Sequence, residues 1–195
     1  YTEETTWSEI EGLFRITGLQ YRNIIIDSIP ISFENLSQLK FLELINDSLK
    51  SLPISIGNLT LLEEIRVQNN QLTVIPESII NLSNIKIIDF SNNEISSMPA
   101  DFNNLSCDNC RLEIIKLQKN KLNYIDLYEF NHLEVVWLEN NELEDIKLSC
   151  LNSIWGDVYN PENPTVTLNE NKLCNPPSFY GSCINEEKLG VQVCD

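Results

Sequence analysis

The stretch Leu39-Lys40-Phe41-Leu42-Glu43-Leu44-Ile45-Asn46-Asp47-Ser48-Leu49 sets the pattern for most of the chain. Its residues Leu39, Leu42, Leu44 and Leu49 return 23 positions later as Leu62, Ile65, Val67 and Leu72, and again as Ile85, Ile88, Phe90 and Ile95. Subtracting 23 gives Ile16, Leu19, Tyr21 and Ile26. Further copies, differently spaced, begin at Leu112 and Leu133, and a shortened one at Val166, which makes seven. A repeat of this length implies stacked units that share one core. The expected boundaries are a cap over 1–15, repeats over 16–173 and a second cap over 174–195.

Within each copy the central apolar residues alternate with other types, as in a strand with one buried face. Three positions after the second of them stands Asp47, Asn70, Asn93, Asn120, Asn141 or Asn171. A short polar side chain there can satisfy backbone groups where the chain leaves the strand, so stacking should give a buried ladder. Ile24 takes that slot in the first copy. The chain then runs to a proline at Pro30, Pro53, Pro76 or Pro99. Proline has no N–H for a ladder, so these returns should lie outside the main sheet, extended or in short 3₁₀ turns. They close on Asn-Leu-Ser/Thr at Asn35, Asn58, Asn81 and Asn104.

Residues between the apolar positions point away from the core, onto a concave sheet face. One expected column reads Gly18, Phe41, Glu64, Ile87, Ile114, Val135, Thr165. The next reads Gln20, Glu43, Arg66, Asp89, Lys116, Trp137, Thr167, and the third Arg22, Ile45, Gln68, Ser91, Gln118, Glu139, Asn169. Phe41, Ile45, Ile87, Ile114, Val135 and Trp137 are apolar where core packing does not require it. Exposed apolar groups rimmed by charge mark a binding surface, although strand propensity alone also favours β-branched residues there. The candidate binding residues are therefore Phe41, Glu43, Ile45, Arg66, Gln68, Ile87, Asp89, Ile114, Lys116, Val135, Trp137 and Glu139.

The motif L-x-x-L-x-L-x-x-N-x-L, with I/L-P and N-L-[ST], resembles the Pro-containing leucine-rich repeats of plant-type receptors, polygalacturonase inhibitors and Ras-associated repeat proteins. The likeness covers roughly Ile16 to Cys174. It implies an α/β leucine-rich repeat solenoid, with parallel strands on the concave face and turns on the convex face. It implies little about function, because this scaffold hosts many partners.

The ends depart from the repeat. Thr6-Trp7-Ser8-Glu9 fits a capping box, and Trp7, Ile10 and Phe14 fall at helical spacing. A capping helix over Thr5 to Phe14 is the expectation. Ile85 to Leu112 is 27 residues, and the insert is Cys107-Asp108-Asn109-Cys110. Val136 to Val166 is 30, enlarged by a Pro/Asn-rich loop around Trp155 to Pro164. After Leu173 come Cys174-Asn175-Pro176-Pro177, Cys183 and Cys194, which look like the C-terminal cap of plant-type extracellular repeat proteins.

With Cys150 the cysteines number six. Structural disulfides in an oxidising compartment explain an even set near a solenoid end. Fifteen pairings are open, and the favoured set is Cys107–Cys110, Cys174–Cys183 and Cys150–Cys194. Zinc is the rival, but Cys107-x-x-Cys110 has no second such pair and His132 is the one histidine. Five sequons, Asn35, Asn46, Asn58, Asn81 and Asn104, are glycosylation candidates on secretion. Four of them belong to the repeat itself. Acidic runs near Asn141 are explained by the repeat rather than by calcium, and no metal site is expected.

Composition narrows the functional classes. The net charge of −16 argues against nucleic acid and anionic membranes. No 18-residue apolar run offers a transmembrane span. The opening Tyr1-Thr2-Glu3-Glu4 lacks a signal peptide's basic and apolar regions. No nucleophile elbow, zinc-protease or phosphate-loop motif occurs, so neither catalysis nor a cofactor is expected. The expectation is a secreted or cell-surface recognition module that binds a protein on its concave face. The alternatives are a carbohydrate or cell-wall binder stacking sugars on Trp137 and Phe41, and an intracellular Ras-group-like scaffold. Oligomeric state is left open.

Overall fold

Seven short strands carry the seven repeats, and their register follows the repeat spacing, 23 residues for the first three pairings and then 27, 21 and 30. In the computed structural model, which describes residues 2–23, 25, 27–46, 48–106, 111–130, 132–148 and 166–173, the main sheet has eight strands. They are β1 (Thr2–Ile10), β2 (Leu13–Arg22), β3 (Phe41–Ile45), β4 (Glu64–Arg66), β5 (Ile87–Asp89), β6 (Ile114–Lys116), β8 (Val135–Trp137) and β10 (Val166–Thr167). From β2 onward they run parallel, with Gly18, Phe41, Glu64, Ile87, Ile114 and Val135 side by side. Leu42, Ile65, Ile88, Ile115 and Val136 lie on the opposite face and are fully buried. This alternation is the one expected of strands that bury one face.

The returns follow proline. Pro30, Pro53 and Pro76 each precede a 3₁₀ turn: η1 (Ile31–Asn35), η2 (Ile54–Asn58) and η3 (Glu77–Asn81). A fourth, η4 (Phe102–Ser106), follows Pro99, whose carbonyl accepts from the Phe102 N–H at 3.1 Å. Neighbouring turns pack tightly. A Cβ added to Gly57 would lie 2.3 Å from the Ser78 carbonyl oxygen, so only glycine fits there. The fifth and sixth copies break the rule for a readable reason. Asp126 and Lys147 stand where earlier copies have proline, and each keeps its N–H. These segments form a second parallel sheet, β7 (Tyr124–Leu127) with β9 (Asp145–Leu148), pairing Asp126 with Lys147.

The N-terminal cap corrects the sequence expectation. Residues 5–14 form no helix: β1 and β2 make an antiparallel hairpin, and the boundary at 15/16 falls inside β2. Glu11 and Gly12 have φ of 54° and 76°, the pair of positive angles that a two-residue hairpin turn needs. That turn and the β-branched Thr2, Thr5 and Thr6 outweigh the capping box, because β2 offers β1 an open sheet edge to pair with. Gly18 is what lets β1 lie close, since a Cβ there would sit 2.2 Å from Thr6 Oγ1.

The polar ladder is continuous in the described repeats. Asn93 Oδ1 accepts from the Leu72 N–H at 3.0 Å, and its Nδ2 donates to the Val67 and Phe90 carbonyls, both at 3.0 Å. Asn70, Asn120, Asn141 and Asn171 repeat this arrangement, accepting from Leu49, Ile95, Leu122 and Leu143. Each strand-end carbonyl is shared: Phe90 O also accepts from Asn120, and Leu117 O from Asn120 and Asn141. Asp47, Ile24, all six cysteines and the Trp155–Pro164 loop lie outside the described residues.

Candidate functional site

The concave face is built by β3, β4, β5, β6 and β8 and holds the expected columns in register. Ile87, Ile114 and Val135 stand adjacent on β5, β6 and β8, half-buried, as a short apolar ridge. Beside it Asp89, Lys116 and Trp137 are also aligned. Lys116 Nζ lies 3.9 Å above the Trp137 ring centroid, a cation–π contact across neighbouring strands. Arg66 sits over the Phe41 ring at 5.7 Å and pairs with Glu64 at 2.9 Å. Thus both aromatic rings expected to stack on sugars already carry a cation.

The remaining polar groups are mostly engaged. Asp89 accepts from Ser91 Oγ at 2.6 Å and from the Ser91 N–H at 3.1 Å. Glu139 accepts from the Thr167 hydroxyl. Gln68 and Gln118 are half-buried, and each leaves its Oε1 shielded from solvent without a hydrogen-bond partner. Two expected binding residues are not surface groups. Glu43 is 1% exposed and ion-paired with Arg22, whose guanidinium lies against it from the next strand. Ile45, opposite Arg22 in the register, is 9% exposed. On the inside of the curve, side chains of neighbouring strands crowd together, and strand alternation alone does not report this.

Two features were missed in the sequence. The residue before each ladder position is left-handed: Asn23, Asn46, Asn69, Asn92, Lys119, Asn140 and Glu170 all have φ between 53° and 62°. The Asn-Asn pairs at 69–70, 92–93 and 140–141 carried the signal, because asparagine tolerates that conformation. The second feature is charge alternating across copies. Glu63 accepts from Lys86 at 2.6 Å and faces Lys40 at 3.6 Å; Lys121 meets Glu94, and Lys172 meets Glu142. Lys86 chiefly, against the effect of burial, holds the Glu63 carboxyl below its ordinary range. On the convex side, burial tends to raise the Asp126 carboxyl. The Tyr128 N–H, Lys147 and Asn103 outweigh it and hold it low.

The sequon residues Asn35, Asn46, Asn58, Asn81 and Asn104 are all exposed. Asn58 Nδ2 donates to Glu34 and Asn46 Nδ2 to Asn23 Oδ1, so two of them already use their amides within the fold. His132 is exposed, well apart from the concave columns in the repeat. Among the described residues no cluster of metal-ligating side chains occurs, and no helix is long and apolar enough to cross a membrane.

With this geometry in view, the comparisons are informative at the level of fold. No family model and no curated protein matches the chain. Solved structures do. A TDR receptor is 37% identical over 60% of this chain and 20% of its own, with a TM-score of 0.54. The chain also matches the BIR3–SERK2 complex from Arabidopsis thaliana (29% identity, 61% of this chain and 63% of that one, TM-score 0.51). A Leptospira interrogans leucine-rich repeat protein is 23% identical over 78% of this chain and 42% of its own, with a TM-score of 0.52. The chain is a leucine-rich repeat solenoid. It spans less than two thirds of each of these three chains.

Proposed function

We propose that this solenoid is a non-catalytic recognition module, secreted or displayed at a cell surface, which binds a protein partner on its concave face. The observation that carries the reading is the Ile87–Ile114–Val135 ridge flanked by Lys116 and Trp137. These apolar side chains are half-buried on the face opposite the core, where folding does not require them. Tryptophan is also enriched among interface anchors. The likeness to a TDR receptor and to the BIR3–SERK2 complex supports the same class of use. Secretion rests on the even cysteine count and on the exposed sequons, which would then accept glycans.

A protein fits this face better than a sugar. Carbohydrate stacking needs an open aromatic face, and Lys116 and Arg66 lie over Trp137 and Phe41. The concave carboxylates Glu43 and Glu64 are tied to arginines, and Asp89 to Ser91, which also speaks for binding over acid–base chemistry. The test places a photo-crosslinking amino acid at Ile114, on the ridge, or at Ile54, 71% exposed on the convex side. Each variant is exposed to the extracellular fraction of the source tissue. A discrete protein adduct at position 114 that is absent at 54, and lost on adding Trp137→Ala, is expected. Equal adducts at both positions would overturn the concave-face reading.

A further inference from the structure

We propose that the outer edge of β1 accepts an extended basic segment of a partner protein as a ninth strand of the main sheet. β1 ends the strand order, so only its β2 side is paired among the described residues. Solenoid repeats satisfy each strand from both sides; this one presents the backbone N–H and C=O groups of its other side. Natural edges are usually short or blunted by lysine or proline. This one is nine residues long, Thr2-Glu3-Glu4-Thr5-Thr6-Trp7-Ser8-Glu9-Ile10, with neither lysine nor proline, and its pairing with β2 is interrupted once, by a register shift between Thr6 and Trp7.

Charge selects the occupant. Glu3, Glu4 and Glu9 on the strand and Glu11 in its turn are all exposed. Of the nearby cations, Arg22 is committed to Glu43, and Arg15 stands opposite Ser8, on the other face of the hairpin from Glu3 and Glu9. A second copy is disfavoured, because antiparallel pairing about Thr6 would set Glu3 against the other copy's Glu9. Like charges directly opposite are destabilising, whereas lysine or arginine opposite glutamate is favoured. Beside this edge opens a cleft of about 530 Å³ lined by Trp7, Ile10, Arg15, Ile16, Asn35 and Leu36. It lies at the start of the core, against which Ile16 and Leu36 pack, and Trp7 is 57% exposed at it. Strand addition draws affinity from main-chain hydrogen bonds and specificity from alternate side chains in such pockets. Alternation puts Glu3, Trp7 and Glu9 on one face of β1, so an apolar side chain of the added strand opposite Trp7 would reach this cleft while basic side chains an even number of residues away meet Glu3 and Glu9.

The probe is the peptide acetyl-Thr-Lys-Thr-Val-Thr-Thr-Thr-Lys-amide, whose valine and two lysines share one face, titrated into the intact chain by calorimetry. Two twins accompany it, one N-methylated at alternate amides and one with glutamate in place of lysine. The parent is expected to bind, and each twin to bind about tenfold or more weakly, a change of ~1.4 kcal/mol per decade. The double variant Glu3→Gln, Glu9→Gln is expected to lose binding by a similar factor with an unchanged melting temperature. Trp137→Ala is expected to leave it intact, which separates this edge from the concave face. An N-methylated twin that binds as well as its parent would reduce the effect to charge and overturn strand addition. Loss of binding on Trp137→Ala would place the peptide on the concave face instead and also overturn the proposal.

Discussion

Replacing Asn93 with alanine should destabilise the solenoid by ~4 kcal/mol, and the figure follows from how the ladder shares its acceptors. The Asn93 amide holds three main-chain groups at 3.0 Å, the Leu72 N–H, the Val67 carbonyl and the Phe90 carbonyl, and reaches a fourth, the Ser91 carbonyl, at 3.3 Å. Removing it orphans the Leu72 N–H, since Oδ1 of Asn93 is its acceptor, and Leu72 is fully buried. A buried donor left without a partner costs ~1–3 kcal/mol. The two carbonyls fare better, because Val67 O keeps Asn70 and Phe90 O keeps Asn120. Each loses only a net contribution of ~0.5–1.5 kcal/mol. The central sum is ~4 kcal/mol, or roughly an 8–16 °C fall in melting temperature for a domain of this size. Urea unfolding followed by circular dichroism measures it, with an unchanged slope as the check that the unfolded state is the same. Asn93→Asp adds a sign test. It keeps an acceptor for Leu72 but turns a carboxylate oxygen toward two carbonyls. Its folded-state pKa is therefore raised, so its stability should be best in acid and fall as pH rises through that value. A loss below ~1 kcal/mol for Asn93→Ala would refute the ladder as the device that satisfies the strand ends.

Further expectations follow from other positions. Gly57→Ala should cost ~1–3 kcal/mol, read by the same urea titration, because the new methyl meets the Ser78 carbonyl, which belongs to a packed turn. Trp137→Ala should leave the melting temperature within a few degrees while weakening binding to a crosslinked partner about 30-fold, as truncating an interface anchor does at ~2 kcal/mol. A large stability loss with intact binding would make Trp137 a packing residue. Asp126 is more acidic in the fold than in the unfolded chain, so its contribution is present near neutrality and lost as pH falls below about 4. Asp126→Asn should flatten that part of the pH–stability curve, and an unchanged curve would sink the assignment. Alkylation of the folded protein without reductant should leave all six cysteines unlabelled; two or more reacting would reopen zinc and an intracellular home.

The sequence alone determined the repeat, the parallel register and the ladder. Each rests on a residue type recurring at a fixed interval, and stacking turns an interval of 23 into a direct neighbour relation. The same arithmetic placed Ile87 beside Ile114 and Lys116 beside Trp137. The second sheet was not foreseen, although the loss of proline at Asp126 and Lys147 carried its signal. Only the tertiary structure decided the ends and the true surface. Thr5 to Phe14 carried signals for both helix and strand, and the open edge of β2 settled the matter by giving β1 a partner. Glu43 looked like a solvent-facing residue from its place in the alternation. Its burial depends on Arg22 reaching across from a strand 21 residues earlier, an interaction that no local pattern encodes. Likewise, cations over Trp137 and Phe41 fix what those rings can bind, because side-chain contacts across strands depend on packing as well as on spacing.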